Sequence, residues 1–380
     1  MGIKYTAIGS GYYRVFRNGI EISKHTSERE ANERAVNEEL ANPASEVTYK
    51  HDYEVKVESV TIAPPVTPTP IPPTPTTFQL YSPTSYVNKK LSAEPLHANS
   101  SGLVAEMFEN IKIAGGWVAT TPYSHPIYYV NGSTVPKVKV YLTGPYAAGG
   151  AVEAELLKGV PIPSSVVIAA GTDAHLCIID KDANREYDFY RLKPRANGDW
   201  EATSAGILDN VTTCDGTLEK RSDGRWNSAT ASHIPLALGV ITLKELEAGV
   251  IPHGLFIAIN RPAGDWQNWI WPAKSTDGYY MGTNAIQEGR RFRFPANIVI
   301  NPAWTPLVKM IVTAVRDYGM VVGDKTGAGV SFYVEDPTQY GKGQEVLTPY
   351  LGTKKLWEAF GSSAAPSSSE FPWMQLEALA

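Results

Sequence analysis

Hydrophobic and polar residues alternate over short stretches at the start of the chain. The stretches 12–17 and 20–24 flank the dipeptide Asn18-Gly19, which favours a tight hairpin turn between two strands. The other elements that the pattern predicts here are a helix that begins at a Ser27 and Glu30 capping box, and strands at 47–50 and 53–60. Segment 1–60 is therefore predicted to be a small α+β module that serves in docking.

A segment rich in proline and threonine, residues 61–77, follows this module. It contains the run APPVTPTPIPPTP, a composition that favours an extended polyproline II spacer with no buried core. The segment is therefore predicted to be a linker between two domains that have different roles.

The large domain predicted at 78–340 is patterned mainly as short strands. Runs of Val, Ile, Tyr and Phe are separated by clusters of Gly, Pro, Asn and Asp, which indicates a mainly β fold, β-sandwich or jelly-roll-like, with a few helices. The pattern predicts strands at 137–142, 165–169, 175–180 and 255–260, and helices at 101–111, 243–248 and 306–318. Residues 341–380 are predicted to form a Gly- and Ser-rich tail, either poorly ordered or a short docking peptide.

One segment of the large domain, GTDAHLCIIDKDANREYDFYRL, predicts a β-hairpin with candidate chemistry. Its strands would cover 172–180 and 186–192 and would be joined by the KDAN turn. Because side chains alternate along a strand, Asp173 and His175 would project from the same face.

The second strand of this hairpin and a second histidine extend the candidate site. Neighbours on a strand point in opposite directions, so either Tyr187 or Asp188 would share the face of Asp173 and His175. His253 opens the run IPHGLFIAI and would meet His175 if the two strands were adjacent.

These five residues suit several kinds of site. Imidazole and carboxylate groups bind divalent metals, although the sequence requires no cofactor. A histidine base with Tyr187 as proton donor suits a polysaccharide lyase, whereas Asp173 and Asp188 would be the two carboxylates of a glycosidase. A ligand-binding rim and a purely structural role are the remaining alternatives.

A second candidate feature is an aromatic stretch, RPAGDWQNWIWPAKSTDGYY. It contains Trp266, Trp269 and Trp271, and the last two would lie on one face of a strand. Exposed indole rings stack on sugars, and Asp265 and Asp277 would hydrogen-bond sugar hydroxyls, so the stretch predicts a substrate-binding platform. The alternative is that these tryptophans belong to the core.

Composition and charge narrow the function classes. The 380 residues carry 34 Lys and Arg against 39 Asp and Glu, a net charge of −5, which argues against nucleic-acid binding. The sequence has no run that would insert into a membrane and begins without a secretion signal. Cys177 and Cys214 are too few for a disulfide framework or a cysteine zinc site. Motifs for serine hydrolases, zincins and nucleotide binding are missing.

Several motifs between residues 80 and 336 resemble, in their order, a family of large bacterial secreted proteins that are mostly uncharacterised in function. They are PIPSSVVIAAGTDAHLCIIDKDANREYDFYRL, NGDW, GVITLKELEAGVIPHGLFIAI, WPA and MIVTAVRDYGMVVGDKTG. The family's G-D-x-H motif and Tyr-Glu pair match Asp173, His175, Tyr187 and Asp188, with Asp in place of Glu at 188. Its Asn-His-Ala-Leu motif falls on 252–255 and keeps His253. The resemblance implies a carbohydrate-active β-sandwich protein of the cell surface.

The N-terminal module is similar to the virion-attachment ends of bacteriophage tail and fibre proteins. The similar residues read YTAIGSGYYRVFRNGIEISKHTSEREANERAV and precede the Pro/Thr spacer. This resemblance implies a virion protein that binds other tail proteins through 1–60 and leaves the cell by phage assembly. Fibre proteins are often trimers, but no coiled-coil heptad or β-helix repeat predicts an oligomer here.

Together these features predict a phage tail-associated protein that binds a bacterial surface polysaccharide and depolymerises it as a glycosidase or lyase. The alternative is a non-catalytic tail protein that only binds a glycan receptor. A peptidoglycan-directed lytic factor is disfavoured because the metal and Cys-His motifs of such enzymes are missing.

Overall fold

The computed structural model describes residues 13–17, 20–25, 47–51, 78–91, 94–265 and 267–380. Contacts divide the chain into two compact units, Met1–Thr69 and Pro70–Ala380, so the division falls within the predicted linker. The predicted helix at Ser27, the predicted strand at 53–60 and the conformation of 61–77 lie outside the described residues.

The first unit contains a three-stranded antiparallel sheet. Its strands are β1 (Tyr13–Arg17), β2 (Ile20–His25) and β3 (Val47–His51), in the order β2-β1-β3. Arg17 pairs with Ile20, which confirms the hairpin predicted around Asn18-Gly19.

The second unit is mixed α/β, with three sheets and few helices. Its strands are β4 (Gly116–Ala119), β5 (Ile127–Val130), β6 (Val140–Leu142), β7 (Leu176–Asp180), β8 (Arg185–Tyr190), β9 (Lys193–Pro194), β10 (Trp200–Ala202), β11 (Ser204–Asp209), β12 (Leu255–Ile259), β13 (Arg291–Arg293), β14 (Met320–Lys325), β15 (Val330–Tyr333) and β16 (Glu377–Ala378). Its helices are α1 (Ser100–Ala114), α2 (Ala151–Leu156), α3 (Leu243–Ala248), α4 (Pro306–Asp317), α5 (Thr348–Leu351) and α6 (Leu356–Phe360), with 3-10 turns at Pro337–Tyr340, Gln344–Leu347, Pro366–Ser368 and Trp373–Gln375.

The three sheets combine parallel and antiparallel pairs. The largest has the order β16-β13-β14-β12-β15-β4, the next β11-β8-β7-β5, and the smallest β6-β10-β9. In the largest sheet β12 runs parallel to β14 and antiparallel to β15. The carboxyl ends of β12 and β14 therefore lie at the same edge of the sheet.

The three predicted helices of the large domain are confirmed, and their ends follow capping rules. Thr242 and Glu245 form a capping box at the start of α3, and Gly249 ends it in a left-handed conformation. Thr305 accepts a hydrogen bond from the Val308 amide at the start of α4, next to a proline at the first helical position. No helix within the described ranges is long and apolar enough to cross a membrane.

The strand predictions are only partly correct. Strands β7 and β12 match the predictions at 175–180 and 255–260, and β6 covers the second half of 137–142. Residues 165–169 form no strand. The Pro163 carbonyl accepts a hydrogen bond from the Val166 amide, so the backbone turns at this point. The apolar side chains of 165–169 had suggested a strand.

The C-terminal residues are not a tail, which corrects the prediction for 341–380. Strand β16 pairs with β13, and Trp373 and Phe371 are almost completely buried against Phe332 and Phe360. The prediction rested on the Gly and Ser content of the segment. It was wrong because the aromatic residues near the chain end bury enough apolar surface to hold the segment on the domain.

We therefore expect Trp373→Ala to lower the free energy of unfolding of the full chain by about 3–5 kcal/mol, the usual cost of truncating a buried aromatic residue. The matched control is Met374→Ala, because that side chain is 58% exposed. Urea denaturation measures both variants. Equal effects of the two changes would show that the C-terminus does not stabilise the domain.

Candidate functional site

The β7–β8 hairpin is confirmed, but Asp173 lies before its first strand. The strand begins only at Leu176, because Ala174 adopts a left-handed backbone conformation. The Asp173 carbonyl accepts a hydrogen bond from the Arg191 amide at 2.7 Å, which holds Asp173 beside the end of β8.

His175 is buried next to the same strand end. Its ring lies 5.0 Å from the His125 ring and 5.7 Å from the Tyr190 ring, measured between ring centres. Burial lowers the pKa of His175 to about 4, and burial together with His175 lowers the pKa of His125 to about 3. Both imidazoles are therefore neutral at neutral pH, and His175 is a weaker base than predicted.

The register of the hairpin resolves the choice between Tyr187 and Asp188. Cys177 pairs with Asp188, while Tyr187 pairs with Ile178 on the opposite face and belongs to the hydrophobic core. Tyr187 therefore does not reach Asp173 and His175, and Tyr190 is the tyrosine that lies beside these two residues.

His253 does not meet His175 as predicted. It precedes β12 in the six-stranded sheet, whereas His175 precedes β7 in the four-stranded sheet. The His253 Nε2 atom lies 3.1 Å from a Glu245 carboxylate oxygen, and its Nδ1 atom is 2.8 Å from the Gly254 carbonyl. Burial lowers the pKa of His253, but the Glu245 carboxylate outweighs it and the net shift is upward. The contact between His253 and Glu245 thus links α3 to the start of β12.

Asp188 belongs to a buried network that a polymer cannot reach. Its neighbour Glu186 accepts hydrogen bonds from the Tyr81 hydroxyl at 2.9 Å and the Ala237 amide at 3.2 Å, and Asp188 accepts one from the Leu236 amide at 3.0 Å. Burial raises the pKa of both carboxyl groups, and the Glu186 charge raises that of Asp188 further. The pair is therefore expected to share a proton.

A second set of carboxyl groups lies at the end of the six-stranded sheet where strands β12 and β14 end. We call Asp277, Glu288 and Asp324 the acidic cluster. One carboxylate oxygen from each lies within 4.8 Å of the others, close enough to hold a metal ion. The thiol of Cys177 with Glu186 and Asp188 forms another group of this size inside the protein.

A β-bulge places Asp324 in the acidic cluster. Strand β14 has one extra residue, Gly323, between the partners of Ile257 and Ala258 on β12. A Cβ atom on Gly323 would lie only 2.0 Å from a ring carbon of Phe256, so only glycine fits this position. The bulge shifts the alternation of side chains on β14 by one residue. Asp324 follows it at the end of the strand, where the acidic cluster lies.

Backbone hydrogen bonds hold the segment around Glu288 against strand β14 and against Ile270. The Gly289 amide donates to the Val322 carbonyl at 2.7 Å, and the Ile270 amide donates to the Glu288 carbonyl at 3.0 Å. The Glu288 side chain is 0% exposed, and neither of its carboxylate oxygens has a hydrogen-bond partner among the described residues. Burial, followed by the charges of Asp324 and Asp277, raises its pKa well above the usual range.

Asp277 is the exposed member of the acidic cluster. One of its oxygens lies 3.0 Å from the Lys325 ammonium, and both side chains are about two-fifths exposed. Hydrogen bonds from the Tyr279 and Tyr280 amides to the Pro262 carbonyl fix the loop that carries Asp277. Burial, followed by the Asp277 charge, raises the pKa of Asp324 to about 7.

Asp173 and Tyr190 lie close enough to the acidic cluster to interact with it electrostatically. Burial raises the pKa of the Tyr190 hydroxyl, and the charges of Asp173, Asp324 and Asp277 raise it further. Burial also raises the pKa of Asp173, against the influence of Arg191. We refer to Asp173, Tyr190 and the acidic cluster together as the candidate site.

The aromatic stretch is not a strand, which corrects the prediction for Trp269 and Trp271. Trp269 is half-buried, while Trp271 is 47% exposed and packs edge-on against Tyr86. Asp265 is exposed in a left-handed turn. Trp266 lies outside the described residues. Among the aromatic residues next to Asp277, Tyr279 is 59% exposed.

Two of the predicted residues, Asp173 and Asp277, thus lie within electrostatic range of the same hydroxyl, that of Tyr190. Sequence reasoning missed Tyr190, Glu288 and Asp324. The only signal for Asp324 was its position after the apolar run MVVG, and Glu288 had none, because the contacts that place both residues are long-range. No protein-family model, curated protein or solved structure matches this chain.

The buried network makes a testable prediction about stability and pH. The folded-state pKa of Asp188 is raised, so the folded state binds more protons and the wild type loses stability as pH rises above the unfolded value of about 3.9. Asp188→Asn stays neutral, and we expect its stability relative to wild type to rise as the pH increases above about 4, by up to about 1.4 kcal/mol per pH unit.

Urea denaturation at several pH values measures this difference, with the exposed residue Glu219 changed to Gln as the matched control. Parallel pH profiles for wild type and Asp188→Asn would contradict the shared proton.

Proposed function

We propose that this protein binds a bacterial surface polysaccharide and depolymerises it at the candidate site, with segment 1–60 attaching it to the virion tail. The observation that carries the enzymatic part is that the charges of Asp173 and Asp277, which are about a hundred residues apart in the sequence, both raise the pKa of the Tyr190 hydroxyl. Glycoside hydrolysis needs two carboxyl groups that flank the scissile bond, and these two are the accessible pair.

The chemistry follows from the environments of the two carboxyl groups. Burial favours the protonated form of Asp173, as a general acid that protonates the leaving oxygen requires. Asp277 is partly exposed to solvent and would orient the attacking water. Tyr190, whose hydroxyl pKa responds to both carboxyl groups, would hydrogen-bond the sugar.

The proposal retains a sandwich-like core for the second unit. His125 supports it, since its ring contacts His175 beside β7 of the four-stranded sheet and also Phe256 on β12 and Tyr333 on β15 of the six-stranded sheet. One buried side chain thus touches both sheets, which would be the two layers.

A second candidate function is glycan binding without cleavage. It is favoured by the exposed rings of Trp271 and Tyr279, which come from the same loop as Asp277. Such rings stack on the apolar faces of sugars. In this case the protein would be a receptor-binding part of the tail.

We expect Asp173→Asn to slow polysaccharide cleavage by about 100-fold or more, the usual contribution of a general acid, while leaving polymer binding unchanged. The assay incubates the full chain with a panel of capsular polysaccharides and follows polymer length, new reducing ends and unsaturated products. The surface variant Glu219→Gln is the control. Undiminished cleavage by Asp173→Asn would remove this residue from the mechanism, and unsaturated products would indicate a lyase.

Replacing Trp271 and Tyr279 by alanine tests the recognition function separately. We expect each change to weaken polymer binding by about 0.5–1.5 kcal/mol, as stacking on one ring contributes. Calorimetry or surface plasmon resonance gives the affinities. If these variants bind normally, the two rings are not a sugar platform, and tight binding without polymer shortening would favour the receptor-binding function. Loss of the protein from phage particles after deletion of 1–60 would support virion attachment.

A further inference from the structure

The acidic cluster contains a buried carboxyl group whose oxygens make no hydrogen bond to the described residues. Glu288 is fully buried, and neither of its carboxylate oxygens has a hydrogen-bond partner in the described part of the chain. Leaving a buried carboxyl group unsatisfied is costly, so such a group calls for a compensating ligand. The charges of Asp324 and Asp277 repel that of Glu288, and the nearby Thr276 side chain opposes this effect only in part.

The spacing of the oxygen atoms suits a cation. Atoms that bind one Ca²⁺ ion lie about 2.3–2.6 Å from it, so two of them are separated by at most about 5 Å. One oxygen each from Asp277, Glu288 and Asp324 meets this limit, since all three lie within 4.8 Å of one another. All ligand atoms are carboxylate oxygens, which hard cations such as Ca²⁺ and Mg²⁺ prefer over soft ones.

The charges of the cluster also match a divalent ion. Three carboxylates face one ammonium group, that of Lys325, which lies 3.0 Å from Asp277. Binding of a cation would displace the proton that Glu288 holds when no ion is bound. Of the three negative charges that result, Lys325 would offset one and a divalent cation the other two. The buried Glu186 and Asp188 pair differs, because hydrogen bonds from Tyr81 and from backbone amides already satisfy most of its oxygens.

We propose that the acidic cluster binds one hard divalent cation, Ca²⁺ in the first instance, with Glu288 and Asp324 as buried ligands and Asp277 as the exposed ligand. Because Asp277 is the exposed ligand, water and sugar oxygens would complete the coordination from its side. An ion held by these three residues would thus position the water and the sugar that the candidate site needs. This role in catalysis rests on the proposed function, whereas the binding of the ion does not.

Isothermal titration calorimetry with Ca²⁺ tests the site on the full chain after treatment with a chelator. We expect one ion to bind per chain, and Glu288→Gln and Asp277→Asn each to weaken the affinity at least about tenfold. Asp265→Asn is the matched control, because it removes an exposed carboxylate from the same loop region outside the cluster. Its affinity should equal that of wild type.

Two variants of the ligand residues are used because one of them, Glu288→Gln, changes a buried side chain. If Glu288→Gln disturbs folding, Asp277→Asn still tests the site, because its side chain is partly exposed. Absence of saturable Ca²⁺ binding to wild type, or unchanged binding in both folded variants, would overturn the proposal. Tighter binding of Zn²⁺ than of Ca²⁺ at this site would overturn the assignment to a hard cation.

Cleavage assays with and without chelator separate this inference from the proposed function. Ca²⁺ binding without shortening of any polymer would uphold the ion site and refute the hydrolase. Cleavage that persists in chelator, together with no Ca²⁺ binding, would uphold the hydrolase and refute the ion site. Cleavage that chelator abolishes and Ca²⁺ restores is the outcome that we expect.

Discussion

The desolvation of carboxyl groups is the constraint on which the central part of this protein depends. Burial favours the neutral form of an acid unless hydrogen bonds or opposite charges compensate for the lost water. The protein meets this constraint in two ways. Amides and hydroxyls surround Glu186 and Asp188, which are expected to share a proton. Glu288 has no such partners, and the negative charges of two other carboxyl groups lie beside it. The first arrangement satisfies most of the buried carboxylate oxygens within the protein, and the second is the basis of the ion site that we propose.

The fold delivers these groups through contacts between distant segments. Parallel pairing of β12 and β14 puts the carboxyl ends of both strands at one edge of the sheet, and the bulge at Gly323 directs Asp324 there. The loop that carries Asp277 and Glu288 follows β12 and is tied to Pro262 and to β14 by backbone hydrogen bonds. Within the candidate site, Tyr190 and Asp324 thus lie on strands β8 and β14, while Asp173, Asp277 and Glu288 lie on connecting segments that backbone hydrogen bonds hold in place.

Local patterns in the sequence predicted those parts of the fold that local interactions determine. The KDAN turn and its flanking apolar runs predicted the β7–β8 hairpin, and the pattern at 243–248 predicted α3. Parallel pairing, the bulge and the anchoring of Trp373 depend on long-range contacts that no local pattern records. For the same reason Asp173 and Asp277 were predicted individually, without any link through Tyr190.

The central claim is that Asp173, Tyr190 and the acidic cluster form one site that binds an ion and a sugar chain together. A crystal structure of the full chain soaked with Mn²⁺ and an oligosaccharide from a cleaved polymer tests it most directly. The account predicts an anomalous peak between Asp277, Glu288 and Asp324, with a sugar ring between that peak and Tyr190. An ion or a sugar bound only elsewhere on the protein would contradict it.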